Sequence, residues 1–195
     1  MNERERVLPL LKRHGWNSTS FQMLEPGFHY WWDGDDACVG YVDTGRAWVV
    51  AGPPIAPTER LGEVAARFVA AADAAGRRVC CFGTESRFHD AASWPSFRIG
   101  DQPIWAPGDW AAVVRSSRSF REQLRRARAK GVTVRALTAT EIACEHPTRV
   151  QLDVLIERWL ASRPIAPMGF LVQIDPFTFP DERRYFVAEQ AGRVV

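Results

Sequence analysis

With 195 residues, 46% of them hydrophobic and 25% charged, the chain is long enough to bury a sizeable core and too apolar to be disordered. It holds no apolar run of about 18 residues or more, and Met1-Asn-Glu-Arg-Glu-Arg6 opens directly into a polar helix, so neither a transmembrane span nor a signal peptide is read and a cytoplasmic location is expected. The net charge of +2 conceals a local excess: Ala111 to Arg135 carries eight basic residues against Glu122 alone, net +7, which leaves −5 for the rest of the chain.

The elements alternate between helix and strand. Glu3 to His14 reads as a helix stopped by Gly15, the alternative being that Pro9 limits it to the segment after that residue. Phe28 to Trp32, Ala37 to Asp43 and Arg46 to Ala51 read as an antiparallel meander around tight turns at Asp33-Gly-Asp-Asp36 and Thr44-Gly45. Alternation along the first strand would bury Phe28, Tyr30 and Trp32 and leave His29 and Trp31 on the other face. Thr58 to Ala75 is the clearest helix, with Leu61, Val64, Ala65, Phe68, Val69 and Ala72 at helical spacing before Gly76. Arg77 to Phe82 follows as a short buried strand, expected to run parallel to an earlier one. Thr84 to Gly108 lacks a period and reads as loop with short strands at Ser96 to Ile99 and Pro103 to Trp105.

The next element carries the charge. Ser119 and Glu122 fit a capping box, and Gly131 fits a left-handed helix end. At about 100° per residue, Phe120, Leu124 and Ala127 share one face, while Arg118, Arg121, Arg125 and Arg128 fall within an adjacent arc of roughly 80°. Such a stripe suits a polyanion: phospholipid headgroups, tRNA or a nucleotide. The bland reading is a solvated face whose arginines pair with acids elsewhere. Beyond Gly131 the pattern restarts, with a strand at Val132 to Leu137, a short helix at Thr138 to Ala143 and a longer one at Pro147 to Ala161. Strands follow at Phe170 to Ile174, at Tyr185 to Gln190 and from Arg193, with a turn at Ala191-Gly192. The result is an α/β chain with a first half at 1–130 and a second, unfinished half at 131–195, so the chain reads as a fragment of a longer protein, the alternative being a naturally short chain whose final strand pairs with another subunit.

Several motifs in order carry a resemblance. These are Gly15-Trp-Asn-Ser-Thr-Ser-Phe21, Val49-Val-Ala-Gly-Pro-Pro-Ile55, Cys80-Cys-Phe82, Ser119-Phe-Arg-Glu-Gln-Leu-Arg-Arg-Ala-Arg-Ala-Lys-Gly131, Trp159-Leu160 with Arg163, and Gly169-Phe170. In that order they resemble the C-terminal domain of phosphatidylglycerol lysyltransferases, the aminoacyl-phosphatidylglycerol synthases, and related stand-alone bacterial proteins. The chain departs from the pattern at Pro167-Met168, where an acidic residue often precedes the Gly-Phe pair. The resemblance implies tandem GNAT-like folds, a mixed sheet flanked by helices in each. It also implies aminoacyl transfer from aminoacyl-tRNA to phosphatidylglycerol or a related polar acceptor, with no resident cofactor and a peripheral place at the inner membrane surface. The alternatives are a GNAT-type N-acyltransferase using acyl-CoA and a small amine, and a non-enzymatic module binding anionic membranes or RNA.

Catalytic residues are not identified by spacing, and the missing part of the second half is where they are expected. Ala51-Gly-Pro-Pro-Ile-Ala-Pro-Thr58 links strand to helix and could aim N–H groups at a phosphate, but Pro53, Pro54 and Pro57 have none to give, which favours a rigid turn. Glu85, His89 and Asp90 follow a buried strand, where a general base could sit; solvated loop groups are the commoner case. Phe28-His-Tyr-Trp-Trp32 could stack on a base or anchor at a lipid interface, with core packing favoured. Cys144-Glu-His146 with His14, His29 and His89 matches no zinc spacing, and Cys38, Cys80, Cys81 and Cys144 read as reduced core residues.

Overall fold

The computed structural model describes residues 2–104, 106–163 and 175–195. They form two compact units, the first within Met1–Phe97 and the second within Arg98–Ala166 and Pro176–Val195.

The first unit opens with helix α1 (Glu3–His14), capped by Asn2, whose side chain accepts from Arg4 N–H while Glu5 reaches back to the Asn2 N–H. The helix has the bounds its sequence implies, and Pro9 does not shorten it. The proline forfeits one backbone hydrogen bond, but Val7, Leu10 and Leu11 are buried on either side of it, and that packing holds the turn together. Strands β1 (His29–Trp32), β2 (Cys38–Asp43) and β3 (Ala47–Ala51) form the antiparallel meander, and β4 (Arg78–Phe82) joins β3 in parallel after helix α2 (Leu61–Ala74). The sheet order is β1-β2-β3-β4.

Register divides this sheet into two covered faces. Trp31, Val39, Tyr41, Trp48, Val50, Val79 and Cys81 pack with Leu61, Val64 and Phe68 of α2. On the opposite face Tyr30 Oη donates to Met23 O at 2.6 Å, the Arg6 guanidinium lies 3.7 Å over the Trp32 ring, and Met23 sits where a Cβ on Gly40 would be, 2.8 Å away. Trp31 therefore belongs to the core, because helical layers cover the strand from both sides. The aromatic run is chiefly packing material, half-buried except for the exposed His29. Arg60 donates to Asp33 at 2.9 Å and also to Asp36, tying the β1–β2 turn to the start of α2. Helix α3 (Ser86–Ala92) occupies a stretch read as loop; seven residues with Phe88 alone buried are too short to show a period. It approaches α2 so closely that a Cβ on Gly62 would stand 2.4 Å from the Ala91 carbonyl oxygen.

Ser96 to Ile99, where the first unit gives way to the second, and Pro103 to Ile104 are not strands; Trp105 lies outside the described residues. Pro95, Gly100 and Pro103 interrupt this segment, and no strand among the described residues pairs with it. Helices α4 (Trp110–Ser116) and α5 (Arg118–Ala129) follow, so the arginine helix falls in this unit, not with the first. Strand β5 (Val132–Ala136) pairs antiparallel with β6 (Phe186–Gln190), which pairs with β7 (Arg193–Val194) through a two-residue turn in which Ala191 and Gly192 both have positive φ, 49° and 75°. The expected helix at Thr138 to Ala143 is only a 3₁₀ turn, Thr140–Ile142, because the Glu141 carboxylate accepts from both the N–H and the hydroxyl of Thr138 and closes the chain there. Helix α6 (Pro147–Ala161) has Pro147 in its first turn, and Gln151 Oε1 accepts from Val194 N–H at 3.0 Å. The strand expected at Phe170 to Ile174 and the Gly169-Phe170 pair lie outside the described residues. Among the described residues, no helix is long and apolar enough to cross a membrane.

Candidate polyanion-binding site

Helix α5 is capped two residues earlier than expected, at Ser117 rather than Ser119. Ser117 Oγ accepts from Phe120 N–H at 3.3 Å, which makes Ser117 the N-cap and puts Phe120, not Glu122, at the third helical position. Glu122 is thus released from capping. It takes Arg125 at 2.7 and 3.0 Å and Arg126 at 3.1 Å, and the Arg125 guanidinium, then Arg126, holds its carboxyl below the usual range. Gly131 ends the helix with φ 75°, as its sequence position implies.

The four stripe arginines are all exposed but differ in what they touch. Arg121 turns back to donate to the carbonyl oxygens of Arg115 and Val114 at the end of α4, keeping its whole charge uncompensated. Arg125 shares Glu122. Arg118 and Arg128 have no carboxylate partner among the described residues. One acid therefore stands against the stripe, and the geometry leaves three guanidinium charges for an outside anion. Beside them, Phe120 and Leu124 stay exposed, and the Phe120 ring meets Trp110 of α4 with centroids 5.7 Å apart.

The other sequence candidates are placed as follows. The turn after β3 uses its donors internally: Gly52 N–H goes to Phe82 O at 2.7 Å, and Ile55 exchanges two 2.9 Å bonds with Cys38. With Pro53, Pro54 and Pro57 lacking N–H groups as well, the turn is poor in donors for a phosphate. Glu85 accepts from Asn17 Nδ2, His89 Nδ1 lies 3.4 Å from Ser96 Oγ, and Asp90 is exposed, so no described hydrogen bond joins these three side chains into a base. His146 caps α6, its Nδ1 accepting from Thr148 N–H at 3.2 Å. Cys80 and Cys144 are exposed, which corrects the reading of all four cysteines as core; Cys80 points to the α1 side of the edge strand β4, beyond the reach of that packing.

Sequence reasoning missed a cavity of about 680 Å³ in the second unit, lined among others by Cys144, Arg149, Phe177, Arg183, Arg184 and Tyr185. Arg149 is held there by Asp153 at 3.0 Å and by the Ile142 carbonyl at 3.0 Å, with its guanidinium 3.5 Å from the Phe177 ring centroid. Phe177 in turn stacks on Tyr185 at 5.6 Å. These residues come from two stretches that are 28 positions apart at their nearest, Arg149 and Phe177, and no local spacing connects them.

A mixed sheet with an antiparallel meander, a crossover helix and a parallel fourth strand, accompanied by a basic helix and a second sheet, defines a GNAT-like α/β protein. The chain belongs to the family described as phosphatidylglycerol lysyltransferase, C-terminal, whose model matches residues 8–195. Among solved structures it is similar to the C-terminal domain of a putative lysylphosphatidylglycerol synthetase from Agrobacterium fabrum, with 19% identity and a TM-score of 0.71 over 98% of this chain and 61% of that one. It is also similar to L-PGS from Bacillus licheniformis, with 17% identity and a TM-score of 0.70 over 98% of this chain and 59% of that one. The chain thus spans about three-fifths of the length of these structures. None of the curated proteins matches it.

Proposed function

We propose that this chain is part of an aminoacyltransferase that moves an amino acid from aminoacyl-tRNA to phosphatidylglycerol or a related polar acceptor. The observation that carries the reading is the family match from residue 8 to residue 195. In such a transfer the acceptor hydroxyl oxygen forms an ester bond to the aminoacyl carbonyl carbon, the bond to the tRNA ribose oxygen breaks, and the hydroxyl proton ends on that leaving oxygen. tRNA is a polyanion and phosphatidylglycerol a monoanion that forms an anionic surface in a bilayer, and the guanidinium groups of Arg118, Arg121 and Arg128 are suited to hold one of them near the reaction. The turn after β3 weighs against acyl-CoA as donor in the first unit, since Gly52 and Ile55 already spend their N–H groups within the fold and Pro53, Pro54 and Pro57 have none to offer a pyrophosphate.

Lipid profiling of cells with and without the full-length protein tests this. An aminoacylated phosphatidylglycerol, or a related aminoacylated lipid, should appear only with the protein, and purified full-length protein should transfer labelled amino acid from charged tRNA. Transfer of acetyl from acetyl-CoA, with none from charged tRNA, would replace this reading with the N-acyltransferase one.

A further inference from the structure

We infer that the α4–α5 hairpin lies on an anionic lipid bilayer, with Trp110, Phe120 and Leu124 seated among the headgroups and upper acyl chains and the stripe arginines on the phosphates. The inference deepens the proposed function and rests on its reading of α5 as the element that meets a polyanion.

Charge alone does not choose between lipid and RNA; the apolar neighbours do. Trp110, Phe120 and Leu124 remain 43%, 40% and 38% exposed, although the helices carrying them are well formed. At about 100° per residue, Phe120 and Leu124 adjoin Arg128 and Arg121 on the α5 surface, so an apolar band runs directly beside a cationic one. Trp110 widens the band across the hairpin through its contact with Phe120. A phosphodiester backbone would satisfy the arginines and leave Leu124 in water. A bilayer interface satisfies both bands, taking the rings and Leu124 at the acyl boundary while guanidinium groups reach the phosphates. The 12 residues of α5 extend about 18 Å, enough for three turns lying flat in the interface plane. The pairing of the band with α5, which carries five arginines against Glu122 alone, net +4, supplies the second signal that stable surface binding needs, since an apolar contact of this size alone would be weak.

The test uses the 195-residue chain and vesicles of phosphatidylcholine alone or mixed with phosphatidylglycerol. Flotation should bring the protein up with the mixed vesicles only, and salt should reverse it. Each of Arg118→Gln, Arg121→Gln and Arg128→Gln should weaken partitioning about fivefold. The double variant Phe120→Ser with Leu124→Ser should weaken it about tenfold while leaving the circular dichroism and the binding of bulk tRNA unchanged. As a measurement that needs no folding-sensitive variant, brominated phosphatidylglycerol should quench tryptophan fluorescence in the wild type, and Trp110→Phe should lose most of that quenching. Unchanged flotation of the Phe120/Leu124 variant together with absent quenching would overturn the inference, as would binding of tRNA but not of vesicles. A protein that forms aminoacylated lipid in cells yet fails these vesicle tests sinks this inference and leaves the proposed function standing. Vesicle binding without any product does the reverse.

Discussion

Arg135 grips Glu189 through two parallel hydrogen bonds, 3.1 Å from Nε and 2.9 Å from Nη2, and turns Nη1 to Glu141 at 2.6 Å. One guanidinium thereby joins β5, β6 and the 3₁₀ turn after β5, and both carboxylates raise its own pKa above the usual arginine value.

This arrangement sets an acid limit. Glu141 is held down to about 2, first by the Thr138 backbone N–H, then by Arg135 and the Thr138 hydroxyl. A carboxyl depressed in the folded state stabilises fully above its unfolded pKa of about 4.3, and that contribution is lost as pH falls through the folded value. The urea midpoint of the second unit should therefore drop between about pH 4.3 and pH 2. Glu141→Gln should flatten that dependence while lowering the midpoint at neutral pH; an identical acid profile in the variant refutes the assignment.

Phe68 is 1% exposed and meets Trp31, Tyr41 and Trp48 at centroid distances of 5.6, 5.5 and 5.4 Å. Removing it leaves a cavity that three rings on a paired sheet cannot collapse into. Phe68→Ala should cost about 3–5 kcal/mol in chemical denaturation. Loss of well under 1 kcal/mol would mean that the rings repack.

The thiols divide by environment. Burial pushes Cys38 and Cys81 up to about 12, so their thiolate fraction near neutral pH is negligible, whereas Cys80 and Cys144 are exposed. In native protein, a thiol-disulfide reagent at mildly alkaline pH should modify Cys80 and Cys144 promptly and Cys38 and Cys81 only on unfolding. Mass-spectrometric mapping of the labelled positions reads the outcome, and early labelling of Cys38 contradicts it.

Ala191 has φ 49°, a left-handed conformation that costs an alanine about 1 kcal/mol, in a hairpin turn whose preferred pair is Asn-Gly. Ala191→Asn should stabilise the second unit by roughly that amount. A lower thermal midpoint for the variant would show that the turn is held by something other than its own backbone preference.

The legible parts of this chain were those where one period dominates. Leu61 to Ala72 repeats at helical spacing and packs as that spacing requires, and the meander with its parallel fourth strand follows from the strand and turn pattern. The capping of α5 was misassigned because Ser116, Ser117 and Ser119 all lie near its start, and the choice among them depends on where α4 ends. Helices α3 and α4 have seven residues each, less than two full periods apiece. Trp31 was placed off the core because alternation states which side chains share a face but not how many faces are covered. The cavity beside Arg149 escaped for a different reason: its walls are distant in sequence and are brought together by the pairing of β5 with β6 and by Arg149 lying over Phe177.

The uneven charge of α5 has a practical consequence for handling the protein. At the pH where the chain as a whole is neutral, the +7 segment still presents an array of exposed guanidinium groups, while the remaining sequence carries the compensating negative charge. Retention on a sulfonate resin at that pH is the expected behaviour, since a resin meets a surface locally and does not average over the molecule. The same polarity lets the basic helix of one molecule approach the acidic surface of the next in dilute buffer, so the protein should salt in, becoming more soluble as moderate salt is added.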